Sequence, residues 1–473
     1  MGQPVARSAP LSLDALLHQR WGENWLVGGA SPSFWRALEQ FGHRLESARR
    51  TGSQTAEPLV VMAEPNPLKG LGAILASHRL GYTVALANPQ WGQQEWQQVE
   101  AILQVDRRHP LAENWACYLG TTPAPSGHPE FLIPTGGSSG QIRFARHRWT
   151  TLMASVEGFR AHFGVNRVHA YCLLPIYHVS GLMQGLRAFT SGGQMAIHPY
   201  HSLKQGQCLP LPEQGFLSLV PTQLQWLLNQ APSYWAWLRG FRAVLLGGAP
   251  AWPSLLDRAR ALGLPLAPTY GMTETASQVA TLLPEEFLAG HSSCGRPLPH
   301  AQIRILNGAG AEQPPGQPGA LAIAGPSLFL GYLSLVPQAP PSPTPQVFLS
   351  EDIGYFDPQG YLHLQGRRNT QIITGGEKVF PEEVEAALLA TQPVQEVCVV
   401  GLPDQQWGQR ICALLVLRSG FSPLEALPHL LQQQLTAYKR PKCWVVVAAL
   451  PKSAQGKINR SQALALAQAV LNG

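Results

Sequence analysis

Nowhere in the 473 residues does an apolar run approach the roughly 18–20 residues that span a bilayer, so no membrane-crossing helix is expected. The opening segment MGQPVARSAPLSLDALL lacks the apolar core of a secretion signal, and the expected location is cytoplasmic. Charge is also scarce: Asp, Glu, Lys and Arg make up 13% of the chain and leave a formal +6. No dense basic run or basic–aromatic stripe is present, which argues against nucleic acid as a partner. A modest positive balance suits anionic small ligands such as nucleotides, coenzyme A or carboxylates. The short cluster Lys439, Arg440, Lys442 reads as a solvated turn. Cysteines 117, 172, 208, 294, 398, 412 and 443 form no Cys-x-x-Cys pair. That spacing fits a reducing compartment and argues against a zinc site. No internal repeat is present.

Glycine and proline, by contrast, are plentiful, at 46 and 42 residues, and 45% of the chain is hydrophobic. Such a chain can bury a large core and build many tight loops, and its length favours two or more compact units. From Leu59 onward, short apolar runs alternate with amphipathic stretches. Phe131–Pro134 reads as a strand entering a glycine-rich loop. Leu152, Met153, Val156, Phe159 and Phe163 recur at helical spacing, with Gly164 as the stop. Further strands are expected at Ala170–Leu174, Phe216–Val220 and Ala243–Leu246. Strands alternating with helices define an α/β fold with a mainly parallel sheet covered on both faces. Seven Gly and Pro residues in Gly308–Gly319, and five prolines in Val336–Gln346, mark a looser, more β-rich subregion. After Arg367 a compact α/β pattern begins. It comprises a helix opened by Pro381, strands at Glu396–Val400 and Ile411–Leu417, a helix near Leu424–Leu435 and a strand at Trp444–Ala448. The expected division is residues 1–368 and 369–473, with a hinge at Asn369.

The first chemically loaded segment is PTGGSSGQIRF, Pro134 to Phe144. Thr135, Gly136, Gly137, Ser138, Ser139 and Gly140 let backbone N–H groups turn toward an anion without Cβ obstruction. Arg143 follows and can grip phosphate oxygens in a bidentate fork. The loop matches neither the Walker pattern nor G-x-G-x-x-G. It does satisfy G-x-S-x-G, and chain order permits a hydrolase triad of Ser138, Asp352 and His363. That motif needs a helix directly after the serine, whereas Gln141–Arg146 alternates like a second strand.

Three further segments form a set with this loop. They are LLGGAP (Leu245–Pro250) followed by YGMTETASQ (Tyr270–Gln278), SEDIGYFDPQGYLHLQGRR (Ser350–Arg368) running into NTQIITGGEKVFPEEVE, and PKSAQGKINR (Pro451–Arg460). In this order and spacing they resemble the acyl-CoA synthetase, adenylation-domain and luciferase superfamily, over roughly Pro134 to Arg460. LPIYHVSGL (Leu174–Leu182) and SSCGRPLPHAQIRI (Ser292–Ile305), with YGMTETASQ, resemble its CoA-ligase subgroup of menaquinone and phylloquinone biosynthesis, whose acid is o-succinylbenzoate.

The resemblance implies a large N-terminal domain that binds ATP and a small-molecule carboxylic acid, and a small mobile C-terminal domain. Lys457 is implied as the catalytic cation of adenylation. Thr273 would meet the α-phosphate and Glu274 would hold Mg²⁺. Tyr270 would stack on adenine, with Gly247 and Gly248 at its edge and Gly271 and Met272 completing the nucleotide turn. Asp352 would hold the ribose hydroxyls, and Arg367 would support the same ribose or the phosphate. His178 and Ser277 would line the acyl pocket, while Gly375 and Gly376 would approach the pantetheine of coenzyme A. Bland alternatives accompany several of these: a helix-capping Thr273, a core Tyr270, a turn-forming Asp352, a core His178 and a surface Lys457.

The sequence departs from the family pattern at Ile142-Arg143, where Pro-Lys is usual, and at Asn369, where Asp or Lys is usual. Arg143 keeps the charge and gains a fork, and asparagine tolerates unusual backbone angles. The alternatives are another aryl or fatty acid as substrate, loading of a carrier protein, and a nucleotide-binding homologue without catalysis.

Overall fold

The computed structural model describes residues 12–51, 58–107, 110–112, 115–122, 127–136, 142–210, 214–333, 347–418, 426–432, 434–452 and 458–472. Two seven-stranded sheets make up most of the larger part. The first runs in the order Tyr332–Leu333, Ile142–His147, Phe131–Gly136, Thr83–Leu86, Pro58–Met62, Trp115–Thr121, Pro110–Ala112. The second runs Arg296–Pro297, Ser277–Thr281, Leu266–Met272, Ala243–Leu246, Phe216–Leu219, Ala170–Cys172, Met195–Ile197. Parallel pairings join the central strands of both sheets, and antiparallel strands flank them. The central strands are short and apolar. Thr83–Leu86 and Ala243–Leu246 are buried along their whole length, as strands covered on both faces must be.

Helices Pro67–Arg79 and Val179–Thr190 fill the space between the two sheets. Leu71, Ile74 and Leu75 from one, and Leu182, Leu186 and Phe189 from the other, share a core with Val60, Val84 and Cys172. Helix Trp149–Phe163 stops at Gly164, whose φ of 61° places it in the left-handed conformation that ends helices. The strand expected at Phe216–Val220 stops one residue short, because Pro221 begins the next helix and Val220 is its N-cap.

The β-rich subregion is a four-stranded antiparallel sheet, ordered Gln302–Leu306, Gly319–Ala324, Phe348–Phe356, Leu362–Arg367. The prolines of Val336–Gln346 lie outside the described residues.

Beyond it, a five-stranded sheet is built on the long hairpin Val394–Asp404 and Gly408–Leu417. These strands outrun the sequence expectation because the Asp404 carboxylate accepts the Gln406 and Trp407 N–H groups, each at 2.9 Å, and so closes the turn. Helices Pro381–Leu389, Ala426–Gln432 and Arg460–Asn472 cover it. Its two apolar cores draw on residues between Ile372 and Ala467. Lys439 ends the turn Ala437–Lys439, where a solvated turn was expected, and pairs there with Glu383 at 2.6 Å. Among the described residues no helix is long and apolar enough to cross a membrane.

Candidate active site

A cleft of about 2910 Å³ opens where the parallel strands of the second sheet end. The segments leaving those ends (Leu173–His178, Val220–Pro221, Gly247–Gly248 and Thr273–Glu274) all line it. Ligands of open α/β sheets gather at the carboxyl ends of strands, so the position itself points to a binding site. The far wall comes from the smaller unit and includes Glu382, Glu385 and Arg460.

Tyr270, Asp352 and Arg367 form one cluster on the cleft wall. Strand register sets Asp352 directly opposite Arg367, and Arg367 Nε donates to Asp352 Oδ1 at 3.0 Å. The Tyr270 hydroxyl donates to Asp352 Oδ2 at 2.7 Å. Burial, then the Asp352 carboxylate, push the Tyr270 phenol well above its ordinary pKa, so it stays a proton donor. A carboxylate has about four acceptor sites, so Asp352 can still take a diol. Gly247 and Gly271 are required sterically. A Cβ at Gly247 would lie 2.8 Å from Thr269 Cγ2, and one at Gly271 would lie 2.1 Å from the Ser277 carbonyl oxygen.

Thr273 and Glu274 sit in a single tight turn, Thr273–Thr275. The fully buried His147 touches the Thr273 carbonyl through Nε2 at 2.7 Å and Thr151 Oγ1 through Nδ1 at 3.0 Å. Burial lowers the His147 pKa to about 4, so the ring is neutral. A carbonyl can only accept, which puts the proton on Nε2. Glu274 is 6% exposed, and its Oε1 accepts from the Tyr332 hydroxyl at 2.6 Å. Arg143 lies over the Tyr332 ring, 4.3 Å from its centroid, and stands opposite Thr135 across the hairpin. The base of that hairpin is held by a buried two-pronged pair, Arg146 to Glu130 at 2.8 and 3.0 Å.

Among the described residues no three His, Cys, Asp or Glu groups cluster as a metal cage. Glu274 offers the cleft a single carboxylate, a hard oxygen donor of the kind Mg²⁺ accepts beside phosphate oxygens and water.

At the other end of the cleft, His178 is the N-cap of helix Val179–Thr190. Ala276 and Ser277 adopt φ of 52° and 98°, left-handed values that non-glycine residues rarely take. They are held there by Ser155 Oγ donating to the Ala276 carbonyl at 2.7 Å and Thr275 Oγ1 donating to the Ser277 carbonyl at 2.6 Å. Arg187 Nη2 donates to Ser277 Oγ at 3.1 Å. Arg187 is 3% exposed and makes no ion pair among the described residues; burial lowers its pKa to about 9.

The structure thus gathers Thr135, Arg143, His178, Gly247, Gly248, Tyr270, Gly271, Met272, Thr273, Glu274, Ser277, Asp352, Arg367 and Asn369 on one cleft. Gly375 and Gly376 are not among them. They form the exposed tip of the hairpin Ile372–Val379, at φ 59° and 84°. Lys457 and the loop residues Gly137, Ser138, Ser139 and Gly140 lie outside the described residues. A hydrolase triad is not formed: strand Ile142–His147 follows the loop, and His363 pairs with Asp357 at 2.9 Å while Asp352 serves Tyr270 and Arg367. His147, Tyr332 and Arg187 were not anticipated. Arg187 had a legible signal, as the one charge in the otherwise uncharged helix VSGLMQGLRAFT.

The chain belongs to the AMP-binding enzyme family, whose main domain matches residues 99–333 and whose C-terminal domain matches residues 383–457. It is 34% identical to the 2-succinylbenzoate–CoA ligase of Geobacillus sp. (strain WCH70), over 70% of this chain and 68% of that one. Against the enzyme of the same name from Enterococcus faecalis the identity is 34%, over 69% and 67%. Among solved structures, it resembles the o-succinylbenzoate CoA synthetase of Bacillus subtilis in complex with its acyl-adenylate intermediate. There the TM-score is 0.76 at 25% identity, covering 95% of this chain and 97% of the other. The same Bacillus enzyme, with ATP and magnesium ion, matches with a TM-score of 0.75 at 25% identity, over 94% of this chain and 98% of that one.

Proposed function

We propose that the chain is an ATP-dependent carboxylate–CoA ligase acting on o-succinylbenzoate, in menaquinone or phylloquinone biosynthesis. The observation that carries this is the convergence of Tyr270, Asp352 and Arg367 with the Thr273–Glu274 turn and Arg143 at the strand ends of one cleft. In the first half-reaction a carboxylate oxygen attacks the α-phosphorus of ATP, and the bond to pyrophosphate breaks. One anion is driven into another, so cations and donors must offset the repulsion. Lys457 and Arg143 supply charge, Thr273 a hydroxyl, Asp352 the ribose grip and Glu274 the Mg²⁺ ligand. In the second half-reaction the coenzyme A sulfur attacks the acyl carbon, the acyl–oxygen bond breaks and AMP leaves, while the thiol proton passes to water. Gly375 and Gly376 border the pantetheine in this step, which calls for residues 369–473 to turn about Asn369 relative to residues 1–368.

Arg187 supports the choice of acid. A buried guanidinium without a carboxylate partner is costly, and o-succinylbenzoate brings a second carboxylate beyond the one activated. His178 and Ser277 flank the same space. Seven free cysteines, five of them buried, support a reducing, cytoplasmic setting.

Pyrophosphate release with ATP, Mg²⁺ and coenzyme A tests this, comparing o-succinylbenzoate with benzoate, coumarate and a fatty acid. Turnover confined to o-succinylbenzoate is expected, with loss in Lys457→Ala and a raised KM in Arg187→Gln. Turnover on another acid alone would discard the substrate and keep the chemistry. ATP binding without turnover on any acid would leave a nucleotide-binding homologue.

A further inference from the structure

Of the three cations Lys439, Arg440 and Lys442, one is neutralised and two are not. Lys439 is taken by Glu383 at 2.6 Å. Arg440 is held in place by neutral groups: its Nε donates to the Leu435 carbonyl at 2.9 Å and its Nη2 to the Gln432 carbonyl at 3.4 Å. Neither Arg440 nor Lys442 joins an ion pair among the described residues. The backbone is extended at Arg440. Pro441 and Cys443 are buried, while Arg440 is half-buried and Lys442 exposed, so alternation puts both cations on the outward face. The exposed ring of Tyr438 precedes them.

Strand register brings these residues beside the hairpin that bears Gly375 and Gly376. Strand Gly408–Leu417 is paired along one edge by Val394–Asp404. Its other edge takes Ile372–Thr374 at Gly408 and Cys443–Val446 from Cys412 onward. The Gly375 N–H donates to the Trp407 carbonyl at 2.8 Å, and the Lys442 N–H to the Ile411 carbonyl at 2.9 Å. Those two acceptors are four positions apart, about 13 Å at the rise of a β-strand. The pantetheine arm of coenzyme A has about thirteen bonds between its sulfur and the first phosphorus, the backbone of roughly four residues, and so spans about 14–15 Å when extended. Gly375, Gly376, Arg440 and Lys442 all lie outside the cleft. Because they share one sheet, a rotation that carries the glycine tip to the thiol carries the two cations with it.

We propose that Arg440 and Lys442 bind the phosphates of coenzyme A, either its pyrophosphate or its 3′-phosphate. A guanidinium fixed by neutral carbonyls keeps its charge and its unused N–H groups for a phosphate, and Lys442 adds a second cation on the same face. The inference rests on the ligase reading above, in which Gly375 and Gly376 border the pantetheine.

The test reads thioester formation from synthetic acyl-adenylate in the full-length enzyme, with coenzyme A, dephospho-coenzyme A and pantetheine as thiols. Arg440→Gln and Lys442→Gln should each raise the KM for coenzyme A about tenfold, the worth of one hydrogen bond between charged groups. The KM for pantetheine, which has no phosphate, should stay within about twofold of wild type, as should single-turnover pyrophosphate release without coenzyme A. Arg440→Lys should recover part of the affinity, since it keeps the charge without the fork. A shift for coenzyme A alone assigns the pair to the 3′-phosphate, and one shared with dephospho-coenzyme A assigns it to the pyrophosphate. An unchanged KM for coenzyme A in the double variant would overturn the inference and leave a solvated turn. An equal rise for pantetheine, or an equal loss of adenylation, would overturn it as well, by marking a defect of the fold. If the wild type forms no thioester with any of the three thiols, the ligase reading fails first, and this inference with it.

Discussion

Glu274 and Tyr332 show how one hydroxyl holds a buried acid in place. Tyr332 stands opposite Ala145 across the strand pairing and reaches Glu274 at 2.6 Å. Burial, then the Glu274 charge, raise the Tyr332 pKa, so the phenol stays protonated and donates. Removing that donor leaves a buried carboxylate oxygen without its partner, which costs about 1–3 kcal/mol. Tyr332→Phe should lower the unfolding free energy, read from denaturant titration, by that amount. Adding Glu274→Gln should recover part of the loss, giving a coupling of at least about 1 kcal/mol in a double-mutant cycle. Strict additivity of the two variants would show that the hydroxyl does not hold the acid. Tyr332 follows a glycine in an ordinary loop-to-strand segment. Its partner lies 58 residues earlier, so local pattern carried no signal for it.

At the scale of elements, the strand Leu266–Met272 and its return, Ser277–Thr281, shape the floor of the cleft. Their register shifts between Tyr270 and Gly271, and the backbones approach so closely there that a Cβ on Gly271 would strike the Ser277 carbonyl oxygen. Other glycines answer to other needs. Gly164 has open space around it but a φ of 61°, and Gly308 has open space and no left-handed φ. Equilibrium unfolding should rank the three alanine variants accordingly. Gly308→Ala should be neutral within about 0.5 kcal/mol. Gly164→Ala should lose about 1–2 kcal/mol, and Gly271→Ala more than about 3 kcal/mol, or the folded state altogether. A mild Gly271→Ala would mean that the bulge can relax, and with it the turn that presents Thr273 and Glu274.

For the molecule as a whole, buried histidines set the acid limit. Burial lowers His78 and His147 to about 4, and burial with the neighbouring Arg187 charge does the same for His300. The unfolded chain takes up protons near pH 6.5, the ordinary histidine value, whereas the folded one resists until about 4. The unfolded state thus binds more protons inside that window. Stability is complete above the window and falls as the pH drops through it, by about 1.4 kcal/mol per unit for each histidine. Denaturant midpoints at pH 7.5, 6 and 5 should show this slope. His78→Phe, whose ring can stay packed against Phe131 and Trp149, should reduce it by about one histidine's share. An unchanged slope would mean that His78 takes up its proton in the fold as readily as in the unfolded chain.

The α/β alternation, the individual strands, the Gly164 helix stop and the chemistry-bearing motifs could be read from the chain alone, because periodicity, turn residues and short motifs are local properties. The motif residues around Tyr270, Thr273, Asp352 and Arg367 were legible for the same reason. Sequence could not reveal that Asp352 belongs to Tyr270 and Arg367 and not to His363, because that pairing depends on the register of two antiparallel strands. His147 beneath Thr273, Tyr332 on Glu274, Arg187 on Ser277 and Arg460 on Glu385 were likewise decided only by tertiary structure. Each joins residues from 58 to 126 positions apart. A hydrogen bond's partner is set by which backbones the fold brings within 3 Å, not by the neighbours a residue has along the chain.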